Sequence, residues 1–351
     1  MKRFLEIDLV KVLALVLMPM SHIFDEFSHY YNLMNNIPEK STLELGLLFM
    51  NIPTLFMICL GFGIVFSKNS TPQKLFRRGL WMFVIEGVLN IFRYIIPHSV
   101  VGCLTKIHSL IMDGIEFSLL SDILPFAGFA FLFFALVKKL NISKLSLLII
   151  GMFLTIIQTI IPQFEIQNVY LKYLAGYFIY IDESSFFSVV SWLIYPIVGY
   201  LLASKLAEVE NKSTCYLKIG SLGLIIFIIT NLYLLITNSM EARYYLFMEM
   251  GFQMDLITTL IVLSIGLMII SVSYFVCKLI KNELIVKAIN NISKNVNSIY
   301  CIHWVLVKIL WAFAVIYNYK MDYNSLFIIG FLIFAISSII AQIRKSILTS
   351  A

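Results

Sequence analysis

The chain has 351 residues, of which 60% are hydrophobic and only 13% are charged. Average soluble domains carry about 25% charged residues, so a soluble globular protein is excluded. The 26 Lys and Arg exceed the 20 Asp and Glu and produce a net charge of +6. The distribution of these charges along the chain decides whether the excess indicates a nucleic-acid partner.

Ten apolar segments can be drawn, each about 20 residues long, the length that an α-helix needs to cross about 30 Å of hydrocarbon. They cover residues 8–24, 45–67, 79–96, 119–137, 145–162, 187–205, 218–237, 256–277, 297–317 and 325–343. The predicted fold class is therefore all-α, a polytopic integral membrane protein with about ten transmembrane helices. Residues 1–351 are predicted to form a single transmembrane domain.

The basic residues lie mainly on one side of these segments. An even number of spans puts both termini on one side, and that side also carries Arg77, Arg78, Lys138 and Lys139. Cytoplasmic loops are enriched in Lys and Arg, so both termini are expected in the cytoplasm. The positive charge thus indicates membrane topology, and no nucleic-acid partner is expected.

Cysteine and histidine spacing predicts no metal site. The five cysteines include no CxxC pair, and no two histidines have the i, i+3 or i, i+4 spacing of a helical metal site. His98 and His108 are expected to lie together in one external loop.

Three ionisable residues share one face of the first segment. An ionisable side chain within a span costs at least about 2.5–3.5 kcal/mol, so each is a functional candidate. At about 100° per residue, His22 projects within about 40° of Asp8 and Lys11. The resulting stripe is predicted to line a polar passage, with Asp8 and Lys11 near its cytoplasmic entrance as substrate-binding residues and His22 about 20 Å further out.

The third segment carries Glu86, Asn90 and Arg93, which are four and three residues apart and share one face. Glu86 and Arg93 are too far apart for a direct bond, so Asn90 or a ligand is expected between them. Two interpretations stay open: a structural network between helices, or a site in which Asn90 and Arg93 bind substrate.

The ninth segment contains His303 and Lys308. From a cytoplasmic start near residue 297, His303 is expected at a depth of about 9–10 Å, against about 20 Å for His22. The two imidazoles are therefore predicted to lie about 10 Å apart and to form no catalytic dyad. His303 is assigned to substrate binding.

Five short motifs together resemble a known family. They are the opening Asp8, Lys11 and His22 pattern, Gly61-Phe62-Gly63, Phe76-Arg77-Arg78-Gly79, residues 192–199, and Ile299-Tyr300-Cys301-Ile302-His303-Trp304. Their order and spacing resemble the transmembrane acyltransferases, which include the acyltransferase-3 proteins and the bacterial relatives of heparan-alpha-glucosaminide N-acetyltransferase. Two positions depart from the family pattern: Lys11-Val12 stands where Arg-Gly is usual, and Pro125 where many bacterial relatives have His.

The resemblance implies a donor, an acceptor and a location. The donor would be cytoplasmic acyl-CoA, with acetyl-CoA expected, and the acceptor a hydroxyl or amine of an extracytoplasmic glycan or lipid-linked sugar. The protein would then be a multi-pass protein of the bacterial cytoplasmic membrane that modifies cell-envelope carbohydrate. Arg77 and Arg78 suit the CoA phosphates by charge, although ordinary cytoplasmic topology explains them equally well.

Within this resemblance, His22 is the expected general base, because an imidazole with its ordinary pKa of about 6.5 exchanges protons near neutrality. An acidic side chain would orient the ring. Glu86, Asp122 and Glu26 are the candidates, and Glu86 is grouped with His22 as the predicted catalytic set.

Two other classes of function stay open. A secondary transporter or flippase would use the charged stripes and the prolines as a path, although no inverted repeat is visible. A noncatalytic membrane protein built on an acyltransferase scaffold would account for the departures at Lys11-Val12 and Pro125.

Overall fold

The computed structural model describes residues 4–31, 39–161, 165–182, 185–239, 254–319, 321 and 323–350, and these residues contain helices but no strand. The predicted all-α fold class is therefore confirmed. The α-helices are, in chain order, α1 Leu5–Tyr31, α2 Glu39–Phe66, α3 Pro72–Asn90, α4 Ile96–Thr105, α5 Ser109–Phe117, α6 Ile123–Lys139, α7 Lys144–Ile160, α8 Val169–Gly176, α9 Val189–Trp192, α10 Ile194–Glu208, α11 Lys212–Ile236, α12 Leu256–Leu279, α13 Glu283–Lys294, α14 Val296–Tyr317 and α15 Tyr323–Ser350.

Within the described residues, seven helical segments are long and apolar enough to cross a membrane. They are Leu5–Phe27, Pro72–Thr105, Val189–Glu208, Lys212–Ile236, Leu256–Leu279, Val296–Tyr317 and Ser325–Ile347. The other predicted spans coincide with α2, α6 and α7, and Ile52–Phe66 and Lys144–Ile160 among them are shorter apolar helices. The number ten and the cytoplasmic termini stay predictions, and Lys2 and Arg3 lie outside the described residues.

The third predicted segment is longer than the sequence indicated. Helical structure continues from Pro72 to Thr105, because a five-residue π-helical segment, Ile91–Ile95, joins α3 to α4. Pro97 occupies the first turn of α4, where its missing N–H is tolerated. The expectation that His98 lies in an external loop is therefore wrong, since His98 is a buried residue of α4.

The chain divides into two compact units. The first comprises Met1–Val10, Leu43–Glu86 and Leu120–Leu279, and the second comprises Lys11–Thr42, Gly87–Leu119 and Ile280–Ala351. Each unit has its own buried polar residues.

In the first unit, α11 packs along α12, and α7 packs against α9, α10 and α12. Helices α2 and α10 approach so closely that a Cβ atom on Gly199 would lie 2.1 Å from the Ile58 carbonyl oxygen. A Cβ atom on Gly61 would lie 2.2 Å from the Pro196 carbonyl oxygen. Only glycine fits these two positions, both of which belong to motifs that carry the family resemblance.

In the second unit, α14 packs against α4, α15 and the π-helical segment, and α5 packs against α4. The buried face of α14 repeats every three or four residues, as expected for a helix with one face toward a core. This face carries His303, Lys308 and the aromatic side chains around them.

Candidate functional site

Helix α1 places His22 and Glu26 on one face of the second unit, since residues four apart are neighbours on a helix. His22 is half-buried. No residue in the described part of the chain hydrogen-bonds to its imidazole ring, although the ring contacts two others. Its nitrogen atoms are thus not used to hold α1 in place.

Helix α14 supplies a row of aromatic and basic side chains. Tyr300, Trp304, Lys308 and Trp311 follow each other at intervals of four, four and three residues, and all are buried. His303 is fully buried beside this row, and its Nδ1 atom lies 3.1 Å from the Ile299 carbonyl oxygen.

The rings of α1 and α14 meet at His22. The His22 ring centroid lies 3.8 Å from that of Trp304 and 5.4 Å from that of His303, whose ring plane is tilted by only 11° from that of His22. The expected separation of about 10 Å is therefore wrong. That expectation assumed that both helices begin at one membrane surface, whereas the contact joins a residue far along α1 to a residue near the beginning of α14.

Arg93 joins this group from the π-helical segment. It is 1% exposed, and its guanidinium carbon lies 4.7 Å from the centroid of the Trp304 ring. Its Nη2 atom donates to Asn90 Oδ1 at 2.6 Å, and Asn90 Nδ2 donates to the Ser118 carbonyl oxygen at 2.9 Å. The predicted link between Asn90 and Arg93 is thus a direct hydrogen bond. Together, His22, Arg93, His303 and Trp304 are called the His22 cluster below.

A second set of contacts surrounds Lys308, which is 2% exposed. Lys308 Nζ lies 2.5 Å from Glu26 Oε1, and also 4.8 Å from the Tyr94 ring centroid and 5.1 Å from that of Trp311. The His98 ring stacks on Trp311 at 4.4 Å, and His98 Nδ1 lies 2.9 Å from the Tyr94 carbonyl oxygen. A buried cation is therefore neutralised by a carboxylate and faced by two aromatic rings.

The remaining predicted site residues are not members of the His22 cluster. Asp8 and Glu86 are buried residues of the first unit, and Lys11 is a half-buried residue at the beginning of the second. Arg77 is exposed on α3, and the guanidinium carbon of Arg78 lies 4.3 Å from the centroid of the Phe131 ring.

Three carboxylates were considered as partners of His22. Asp122 accepts a hydrogen bond from the Ile123 backbone N–H at 2.6 Å and caps α6. Glu26 is paired with Lys308. Glu86 is buried near the end of the first unit's part of α3.

Sequence reasoning missed the roles of Trp304 and Trp311. Trp304 contributed to the sequence prediction only as part of a family motif, and Trp311 was assigned no role. The helical spacing of Tyr300, Trp304, Lys308 and Trp311 was a usable signal, because residues three or four apart share one helix face. A lysine within an aromatic stripe indicates a buried face with a polar function.

These observations define a helical membrane protein whose second unit gathers two buried cations and three histidines among aromatic rings. The chain belongs to the acyltransferase-3 family, because the model of that family, described as an acyltransferase domain, matches residues 4–343. This membership supports a membrane acyltransferase. No curated protein and no solved structure matches the chain.

Proposed function

We propose that the protein transfers an acyl group, with acetyl expected, from cytoplasmic acyl-CoA to an extracytoplasmic glycan or lipid-linked sugar. One observation carries the proposal. In a family of acyltransferases, the half-buried ring of His22 makes no hydrogen bond to any described residue and lies beside the buried Arg93, His303 and Trp304. A ring held by packing alone keeps its nitrogen atoms available for a substrate.

The proposed reaction uses His22 as general base. Its imidazole accepts the proton of the acceptor hydroxyl or amine while that oxygen or nitrogen attacks the carbonyl carbon of the thioester. The carbon–sulfur bond then breaks, and the sulfur leaves with the proton returned by the imidazolium. The new ester or amide and free CoA account for all atoms and charges.

Other residues are proposed to bind the two substrates. Arg77, which is exposed on α3, is assigned to a CoA phosphate, because cations and phosphates form charge-assisted hydrogen bonds. Asp8 and Lys11 keep their predicted roles along the passage, and Asn90 orients Arg93 through the 2.6 Å hydrogen bond. Glu86 stays the predicted catalytic carboxylate.

The test compares cell-envelope glycans and lipids by mass spectrometry from cells with the wild-type gene, without it, and with His22→Ala. We expect acyl masses that depend on the gene and fall by about 100-fold or more in His22→Ala, since a general base contributes about 10²–10⁴ in rate. His108→Ala is the matched control, because His108 is an exposed histidine of the same unit and should leave the acyl masses unchanged.

Acyl masses that do not depend on the gene would contradict the proposal. If they stayed constant while a sugar or lipid changed its side of the membrane, a transporter or flippase would replace the enzyme. Wild-type acylation by His22→Ala would remove His22 from the mechanism.

A further inference from the structure

We propose that the indole N–H of Trp304 donates a hydrogen bond to the carbonyl oxygen of the transferred acyl group as that oxygen becomes negatively charged. This inference rests on the proposed acyl transfer and adds a catalytic residue to it.

The first observation is the state of the indole N–H. Trp304 is only 5% exposed, and its Nε1 atom is buried with no hydrogen-bond partner in the described part of the chain. Tryptophan N–H groups usually find a partner when buried, because a buried donor without an acceptor loses its hydration and gains nothing in return. An acceptor supplied by a substrate would satisfy this donor.

The second observation is the position of the ring. The centroid of the Trp304 ring lies 3.8 Å from the centroid of the ring of His22, the proposed base. An acceptor hydroxyl bonded to His22 lies about 3 Å from the imidazole, and the carbonyl that it attacks lies about 3–3.5 Å beyond. A carbonyl at that distance from His22 is within the reach of a neighbouring indole.

The third observation is the cation beside the same ring. The guanidinium carbon of Arg93 lies 4.7 Å from the centroid of the Trp304 ring. A positive charge at an indole face withdraws electron density and strengthens the N–H as a donor, and it also attracts a developing oxyanion. Preorganised donors in a water-poor site are the usual means of stabilising such an oxyanion.

The indole acts without exchanging its proton. When the acceptor attacks, the electron pair of the C=O π bond moves to oxygen, and the indole N–H bonds to that oxygen. When the carbon–sulfur bond breaks, the C=O bond re-forms, and the proton of the acceptor travels through His22 to the sulfur. Trp304 keeps its own proton throughout.

The experiment measures CoA release from acetyl-CoA by the purified full-length protein in lipid nanodiscs. Cell-envelope extract from cells lacking the gene supplies the acceptor. Trp304→Phe keeps an aromatic face toward His22 and Arg93 but removes the N–H. We expect kcat to fall by about 10²–10³, with the KM for acetyl-CoA within about twofold of wild type because the bond forms mainly in the transition state.

Two further proteins make the result specific. Trp81→Phe is the matched control, because Trp81 is 60% exposed on α3 and should keep wild-type kcat. Replacing Trp304 by 3-benzothienylalanine, in which sulfur takes the place of the N–H at nearly constant shape, should reproduce the loss seen with Trp304→Phe. The benzothienyl protein also provides the test if Trp304→Phe does not fold.

A folded Trp304→Phe or benzothienyl protein with wild-type kcat overturns this inference, and the proposed function survives if His22→Ala is inactive in the same assay. A loss seen with Trp304→Phe but not with the benzothienyl protein assigns Trp304 to packing and also overturns it. Absence of CoA release by the wild-type protein overturns the proposed function and this inference together.

Discussion

Several buried polar groups of the two units make different kinds of contact. In the first unit, the Tyr216 hydroxyl donates to Glu6 Oε1 at 2.8 Å. Lys138 Nζ donates to the Ser70 carbonyl oxygen and hydroxyl at 2.9 and 3.0 Å and to the Ile64 carbonyl oxygen at 3.2 Å. These bonds join distant parts of the chain.

In the second unit, much of the contact is made by ring faces. His22 and Trp304 meet through their rings, and Arg93 and Lys308 lie against aromatic faces. Such contacts fix the position of a side chain without using the hydrogen-bonding capacity of its neighbours. The buried groups Glu6 and Lys138 of the first unit hold helices together by hydrogen bonds, whereas His22 and Trp304 of the second unit meet through ring packing. The following predictions test this difference, from the largest expected effect to the smallest.

Removal of one member of the buried ion pair should have the largest effect on stability. Lys308→Met leaves the Glu26 carboxylate without the cation that lies 2.5 Å away, and breaking a buried pair costs about 3–5 kcal/mol. Thermal unfolding in detergent measures the loss. Glu26→Gln added to Lys308→Met should recover much of it, since the uncompensated charge is gone; equal stability of the single and double variants would contradict the pairing.

A methyl group at the contact between α2 and α10 should destabilise the first unit. Gly199→Ala places a Cβ 2.1 Å from the Ile58 carbonyl oxygen, so the two backbones must separate, at a cost of about 1–3 kcal/mol. Gly63→Ala is the matched control, because a Cβ there meets nothing within 4 Å. Unfolding temperatures that fall equally in both variants would show that the close approach is not responsible.

Loss of the hydroxyl that bonds Glu6 should lower stability and spare the chemistry. Tyr216→Phe leaves a buried carboxylate oxygen without its 2.8 Å donor, which costs about 1–2 kcal/mol. The kcat of the folded variant should match wild type in the CoA-release assay. A fall in kcat without a fall in unfolding temperature would contradict this prediction and indicate that Glu6 and Tyr216 act in catalysis.

The smallest expected effect concerns the basic turn of α3. Arg77→Ala should raise the KM for acyl-CoA by about fivefold, since a surface charge pair contributes about 1 kcal/mol or less, and should leave kcat unchanged. Arg78→Ala should raise KM less, because Arg78 also packs on Phe131. Cysteine labelling of the loops must show unchanged topology. An unaltered KM with correct topology would indicate that both arginines serve only to orient the protein in the membrane.

The long apolar helices of this protein were predictable from the sequence, and so was the family. Apolar runs near the thickness of a bilayer predicted helices whose centres agree with the structure, because in hydrocarbon a segment must satisfy its own backbone hydrogen bonds. The angular positions of Asn90 and Arg93 followed from helical periodicity in the same way, and these two residues are hydrogen-bonded. The third predicted segment ended at residue 96, just before Pro97, although a proline in the first turn of a helix does not end the helical region that precedes it.

The composition of the His22 cluster was decided only by tertiary structure. Periodicity specifies the angle of a residue around its helix and its rise along the axis, but neither the level at which the helix begins nor the helix beside it. His22 and His303 were therefore predicted to lie at different depths, although their ring centroids are 5.4 Å apart. The sequence by itself determined which residues are ionisable within apolar helices. Packing of α1, the π-helical segment and α14 determined that His22, Trp304 and Arg93 meet. The reason is that side chains from separate helices pack closely only where their shapes are complementary.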